Sequence, residues 1–496
     1  MFRNYLKNEN NLTRTQNMAR AYKSTQSDVL DLFGLGGSAL KMEDNELIDL
    51  ITKAFNENEE LAVRAVFYLA DVRGGQGVRK ILKAGIRVML ERYEDELERL
   101  MELIPEYTRW DMLYELEGTP LEAEAFALLR EVAFNADRRR ESHLIFKWLK
   151  SPKTSSKEST RLGKKTARYF GMTEKQYRQF LSRNRARLEL VERKMSDNEW
   201  DAIEYDKVPS KAALKYRQAF KRHDENRYDN YLNKVLKGEA KMNMGVTYPH
   251  EITSKYFGDT GWYGAEITEL NQTLEAAWKS LPNYGGDKNI LAVADVSGSM
   301  FSNVNHQSRV TCMDVSTALA IYTAEHNTGE FANMFMTFSE RPELIELSPK
   351  DTLAGKLRRT VKAPWGMNTD INKVFELLLK TAVKNRVPQN ELPATILIIS
   401  DMQFDYCSNI DRTNYDEWMD RFAHYGYELP DIVFWQVSTQ SNVPVTHSQK
   451  GAAIVSGFSP SVLKFIYEGE ITTPYDFMVE VLMNPRYDAV GEVFRK

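Results

Sequence analysis

The stretch Asn289-Ile-Leu-Ala-Val-Ala-Asp295-Val-Ser297-Gly-Ser299-Met300 decides how this chain is read. A short apolar run, Ile290 to Ala294, breaks abruptly into one carboxylate and two hydroxyls at alternate positions. An apolar run of this length reads as a central parallel strand, buried on both faces. Alternation lets Asp295, Ser297 and Ser299 face the same way, while Gly298 permits a tight turn. Hard oxygen ligands gathered on one loop suit a divalent cation that keeps water and an open position.

Beyond Met300 the pattern alternates between helix and strand. Val310 to Thr323 reads as a helix, Phe331 to Phe338 as a strand and Ile371 to Val383 as a helix. Thr395 to Ile399 and Asp431 to Val437 read as further strands, with a short last one at Ala452 to Val455 and helices near Val462 and Phe477. Parallel strands separated by helices predict a doubly wound α/β (Rossmann-like) sheet over 285–496, with its site at the strand C-termini. Asp295 and Asp401 both fall there. Three separated pieces therefore converge: Asp295-Val-Ser297-Gly-Ser299, the loop Gly366-Met-Asn-Thr369-Asp370 before a helix, and Ser400-Asp401 after a strand.

These pieces, in this order, resemble the metal-ion-dependent adhesion site of von Willebrand factor A domains. Asp295, Ser297 and Ser299 match its first motif, Thr369 its threonine and Asp401 its final aspartate. The resemblance implies a cation, usually Mg2+ with Mn2+ as a substitute, held by the hydroxyls and in part through water-bridged aspartates. It also implies a protein partner that offers a carboxylate to the open position.

At 496 residues the chain is predicted to hold more than one domain. Its formal net charge of -4 hides an asymmetry. Residues 137–241 carry 28 Lys and Arg against 15 Asp and Glu, a net of +13 that leaves -17 over the rest. A basic block inside an acidic chain points to a polyanionic partner. Cys312 and Cys407 are too few for a disulfide framework, which fits a reducing compartment. Neither a signal peptide nor an apolar run of about 20 residues is evident, so a cytoplasmic protein with no membrane partner is expected.

Residues 1–40 read as an N-terminal arm, with Gly34, Gly36 and Gly37 in a loop before the first helix; no Gly-Lys-Ser/Thr follows, so this is not a phosphate-binding loop. Residues 41–280 read as an α-helical repeat (HEAT-like) domain. Asp44 reads as an N-cap, and the apolar stripes Leu47 to Phe55 and Leu61 to Leu69 as helix faces. The turn Asp71-Val-Arg-Gly-Gly-Gln-Gly then joins an αα-hairpin. Arg73, Arg79 and Lys80 flank the glycines, where the turn is either a plain connection or an anion-holding nest. The stretch Pro282-Asn-Tyr-Gly-Gly-Asp-Lys288 reads as a linker.

Within 137–241 the cations recur every three or four residues along helix faces with aromatics between them. Arg138, Arg139, Lys164, Lys165, Arg168, Arg183, Arg185, Arg187, Arg217, Lys221, Arg222 and His223 are the candidate RNA contacts. Cations for phosphates plus flat rings for unpaired bases is the chemistry of RNA and single-strand binding. Helical core packing accounts for most of the aromatics; the Lys/Arg run is harder to explain that way.

The two-part layout resembles the Ro-type (TROVE) RNA-binding proteins. The fragments that carry the resemblance are Ala65 to Gly77, Arg109-Trp-Asp111, Phe146-Lys-Trp148-Leu, and Val208-Pro-Ser with Tyr216-Arg-Gln-Ala-Phe220. The layout is also similar to an uncharacterised plant and viral family. The Ro resemblance implies a helical ring that binds small structured RNAs or RNA ends. The expectation is thus a non-enzymatic, Ro-like ribonucleoprotein scaffold. Two other functions fit the residues: a protein-binding assembly factor without RNA, and a metal-dependent hydrolase. A hydrolase needs more carboxylates than Asp295, Asp401 and Asp370 provide, and none of the histidines forms His-Glu-x-x-His.

Overall fold

Alternate residues of a strand point to opposite faces of its sheet, and here each face has its own neighbours. The computed structural model describes residues 9–135, 143–188, 190–257, 267, 270–338, 341–363, 370–405, 413–439 and 442–495. An N-terminal hairpin, β1 (Leu12–Arg14) and β2 (Arg20–Tyr22), precedes a helix-rich region. The main sheet comprises β3 (Ile290–Asp295), β4 (Met334–Phe338), β5 (Glu343–Glu346), β6 (Thr395–Ser400), β7 (Asp431–Gln436) and β8 (Ala452–Ser456). Its order is β5-β4-β3-β6-β7-β8, parallel except for β5, which runs antiparallel on β4 at the edge. In register, Ala294 pairs with Ile399 and Ile399 with Trp435. Asp295 and Asp401 therefore emerge from adjacent central strands at the same end.

One face of the sheet, bearing Leu291, Val293, Ile396, Ile398 and Phe434, packs under helices Asn372–Asn385 and Asn414–His424. The opposite face, bearing Ala292, Ala294, Leu397, Ile399 and Trp435, belongs to the same core as the N-terminal helices. Helix Cys312–His326 lies between them, started by Thr311 and Asp314 in a capping box. Nearly all of its residues are buried, so it has no polar face to show water.

The expected αα-hairpin is present as Glu59–Ala70 and Arg79–Arg92, and the preceding helix is Asp44–Glu57 with Glu43 as its cap. Where the sequence reads a loop at Gly34, Gly36 and Gly37, the structure has a buried helix, Asp28–Gly36, ending at Gly37. The glycines are there for close approach. A Cβ on Gly34 would lie 2.8 Å from Ile454 Cγ2, and one on Gly37 would lie 2.2 Å from the Ser456 carbonyl oxygen. Gly37 N–H and the Phe33 carbonyl both meet the Ser456 hydroxyl, so this helix covers the open edge at β8.

The glycine turn after Ala70 is an inter-element lock. Asp71 is fully buried and accepts from Arg73 N–H at 2.9 Å and Gly74 N–H at 3.1 Å. It also accepts from the Tyr487 hydroxyl at 3.1 Å and pairs with Arg486. The turn amides thus hold the protein's own carboxylate. Among the described residues no helix is long and apolar enough to cross a membrane.

Candidate cation site and basic helical surface

A parallel strand ends where its ladder runs out, and its last side chains are aimed into the crevice above the sheet. At the end of β3, Asp295 is fully buried and Ser297 nearly so, while Ser299 is exposed. Asp295 Oδ1 accepts from Ser297 N–H at 2.9 Å, which folds the loop back on the strand. The Ser297 and Ser299 hydroxyls lie 3.1 Å apart. From β6, the Ser400 hydroxyl donates to Asp295 Oδ2 at 2.5 Å, and the Ser299 hydroxyl bonds the Asp401 carboxylate. Four of the five expected ligands, Asp295, Ser297, Ser299 and Asp401, are therefore together. Thr369 lies outside the described residues; Asp370, next to it, accepts from Asn372 N–H at 3.1 Å at the start of a helix.

Burial first, and then the neighbouring Asp401 charge, push the Asp295 carboxyl well above the usual carboxylate range. Burial raises Asp401 too, against the opposing hydrogen bond from Ser299. Among the described residues neither carboxylate has a Lys or Arg partner. Two buried acids without a counter-charge are costly unless a proton or cation joins them. The donors are hard oxygens and the Ser299 side is open, so the residues fit a divalent cation such as Mg2+. Among the described residues no group of three or more His, Cys, Asp and Glu side chains gathers as a metal cluster; hydroxyls make up the rest of this donor set.

Sequence reading missed how the first residues of the chain reach this rim. Gln403 N–H donates to Asp401 Oδ1 at 3.2 Å. The Gln403 side-chain Oε1 accepts from Gln16 N–H at 2.8 Å, and the Gln403 backbone carbonyl accepts from Asn17 Nδ2 at 2.8 Å. Met402 between them sits at φ 63°, a left-handed conformation rare for its type. The hairpin β1–β2 thus straps the loop that carries Asp401.

Two of the helices in the basic segment start on a side-chain cap. Ser156 caps Lys157–Tyr169, Thr173 and Gln176 form a capping box on Glu174–Ala186, and Ser210–His223 follows Pro209. Each buries a narrow apolar stripe, leaving most of its cations outside. The candidate RNA-binding cations divide by their partners. Lys165 pairs with Glu117 at 2.7 Å and Glu122 at 2.6 Å, Lys164 with Glu174 at 3.4 Å, and Lys221 with Glu225 at 3.1 Å. Arg185 is half-buried and donates to the Phe146 and Leu149 carbonyls at 2.8 and 2.7 Å, and Arg217 donates to the Leu214 carbonyl at 2.7 Å. Arg168, Arg183 and Arg222 are exposed and have no hydrogen bond or ion pair among the described residues. Arg187 and His223 are also exposed. Arg138 and Arg139 lie outside the described residues.

The chain is similar to two domain families of unknown function. Residues 289–484 match the domain of unknown function DUF7788, and residues 143–283 match DUF2828. The uncharacterized protein L728 of Acanthamoeba polyphaga mimivirus is 28% identical over 520 residues, covering 95% of this chain and 87% of the viral protein. Among solved structures, the Deinococcus radiodurans RO (RSR) protein is similar at 14% identity and a TM-score of 0.39, covering 87% of this chain and 93% of that one.

Proposed function

We propose that this chain is a non-enzymatic RNA-binding scaffold. Its basic helices grip RNA, and the crevice above β3 and β6 holds a divalent cation that recruits a carboxylate-bearing protein partner. The observation that carries the RNA reading is the set of exposed arginines, Arg168, Arg183 and Arg222, on three helices of the +13 segment, none with a hydrogen bond or ion pair among the described residues. Guanidinium groups held on helix faces and not neutralised by neighbours suit phosphate contacts.

In the crevice, Asp295, Ser297, Ser299 and Asp401 would hold the cation, with Thr369 as the further hydroxyl that the adhesion-site resemblance implies. A bound Mg2+ or Mn2+ supplies an electrophilic position that a partner's carboxylate can occupy. Burial of the two aspartates sets the charge balance of the site, and the open Ser299 side gives the partner its approach.

Filter binding of a small structured RNA and of a single strand, over a range of salt, tests the reading. Specific retention that falls as salt rises is expected. If the native protein binds no RNA at low salt and carries none on isolation, the protein-only assembly reading replaces it. RNA cleavage that disappears in Asp295→Ala would instead establish a hydrolase.

A further inference from the structure

We infer that the outward face of His223 is a stacking subsite for one nucleobase of single-stranded RNA; this rests on the RNA-binding reading above. The Trp200 and His223 rings lie parallel, with centroids 4.4 Å apart and planes 9° from each other. Such face-to-face overlap is the arrangement in which bases stack. His223 is exposed at the C-terminal end of helix Ser210–His223 and Trp200 is partly buried beneath it. One face of the imidazole is therefore spent on the indole, and the opposite face is turned to solvent.

The shelf is held in place before any ligand arrives. Trp200 Nε1 donates to Asn198 Oδ1 at 2.8 Å, and the Trp200 carbonyl accepts from Arg227 Nη2 at 2.8 Å. Arg227 is itself fixed by Asp224 at 2.8 Å, one residue beyond His223. A rigid ring stack loses little conformational freedom when a third ring joins it. Arg222, next in sequence, is exposed with no hydrogen bond or ion pair among the described residues. Lys221, by contrast, is committed to Glu225 and Asp229. A flat π-face, with a guanidinium one position earlier on the same helix end that has no hydrogen bond or ion pair among the described residues, offers the two kinds of group used for unpaired nucleotides, a platform for a base and a cation for backbone phosphate. A duplex hides its base faces and has nothing to offer this shelf.

The test compares full-length protein with His223→Ala and His223→Phe variants, using an oligoadenylate of about ten nucleotides and an abasic ribose-phosphate chain of the same length. The native protein is expected to prefer oligoadenylate. His223→Ala should erase that preference, weakening oligoadenylate about tenfold while leaving the abasic chain unchanged. His223→Phe keeps a ring on the shelf and should restore the preference. Equal thermal unfolding of the three proteins separates a lost subsite from a lost fold. If His223→Ala retains the preference for bases, the subsite is wrong while RNA binding stands. If the native protein binds neither probe nor any structured RNA, the reading beneath it has failed.

Discussion

Arg486 and Asp71 meet across 415 residues of chain, Nη2 to Oδ1 at 2.9 Å. Asp71 is fully buried in the turn between two N-terminal helices, and Arg486 belongs to the C-terminal segment that packs on them. Arg486→Ala leaves a buried carboxylate with only Tyr487 and two amides as donors. Removing one member of a buried pair costs about 3 kcal/mol. Chemical denaturation should show that loss; a change below about 1 kcal/mol would mean that the amide nest suffices.

The aspartate pair gives a prediction of opposite signs. Asp295→Asn removes one of two uncompensated buried charges, so without divalent cation the variant should be at least as stable as the native protein. With Mg2+ at about a hundredfold excess over its Kd, the native protein should gain about 2.7 kcal/mol and the variant nothing. Melting curves with and without Mg2+ read both effects. Equal Mg2+ stabilisation of the two proteins would remove Asp295 from the site.

For RNA, the cations should separate by commitment. Reversing Arg168, Arg183 and Arg222 to Glu should weaken single-strand binding and lower the salt slope by about 0.7 for each phosphate left without its cation. Reversing Lys165 should act through stability, because its two attractions to Glu117 and Glu122 become repulsions. Equal loss of RNA affinity from Lys165→Glu, with an unchanged melt, would contradict this division.

His250 is buried, and burial holds its imidazole down at about 4, below the ordinary 6.5. The folded state therefore resists protonation that the unfolded chain accepts. Its contribution is fully present above 6.5 and is lost as pH falls toward 4, by up to about 1.4 kcal/mol per pH unit. Asp31, pushed up to about 6 by burial, acts in the opposite sense, so the comparison must be between variants. His250→Gln should flatten the stability loss between pH 6 and 4 by about that slope, measured by urea midpoints. Parallel profiles for both proteins would place His250 outside this linkage.

A Cβ at Gly37 has no room. Gly37→Ala places it 2.2 Å from the Ser456 carbonyl, so helix Asp28–Gly36 must lift from β8. Overpacking of this kind costs about 1–3 kcal/mol. Hydrogen exchange at β8 should quicken in the variant; unchanged protection would show that the edge tolerates the shift.

The α/β half was legible because its central strands are apolar runs, and the two that carry the crevice end in Asp and Ser. Thr395 to Ser400 and Ile290 to Asp295 need no partner to be recognised. Edge strand β5 escaped notice because only Ile345 of its four residues is buried, which leaves no run to see. The buried helix at Gly34 and Gly36 was hidden for another reason. Glycine reads as a loop locally, and the Ile454 and Leu69 side chains that require it lie far along the chain. The same holds for the Gln16–Gln403 strap, made across 387 residues, and for the Trp200 ring beneath His223. The aspartates and serines of the crevice announced themselves by spacing; the segments that hold them did not.

One core runs from Leu47 in the helices to Trp435 in the sheet. The match to one family ends at 283 and the match to the next begins at 289, but the packing has no seam there. A polypeptide beginning at Asn289 would leave the outer side of helix Cys312–His326 bare to water, and would be prone to aggregate. Evolution can therefore exchange neither half for an unrelated module without rebuilding the other. The protein should melt in a single transition, and inheritance of the two halves together is a physical requirement of that shared interior.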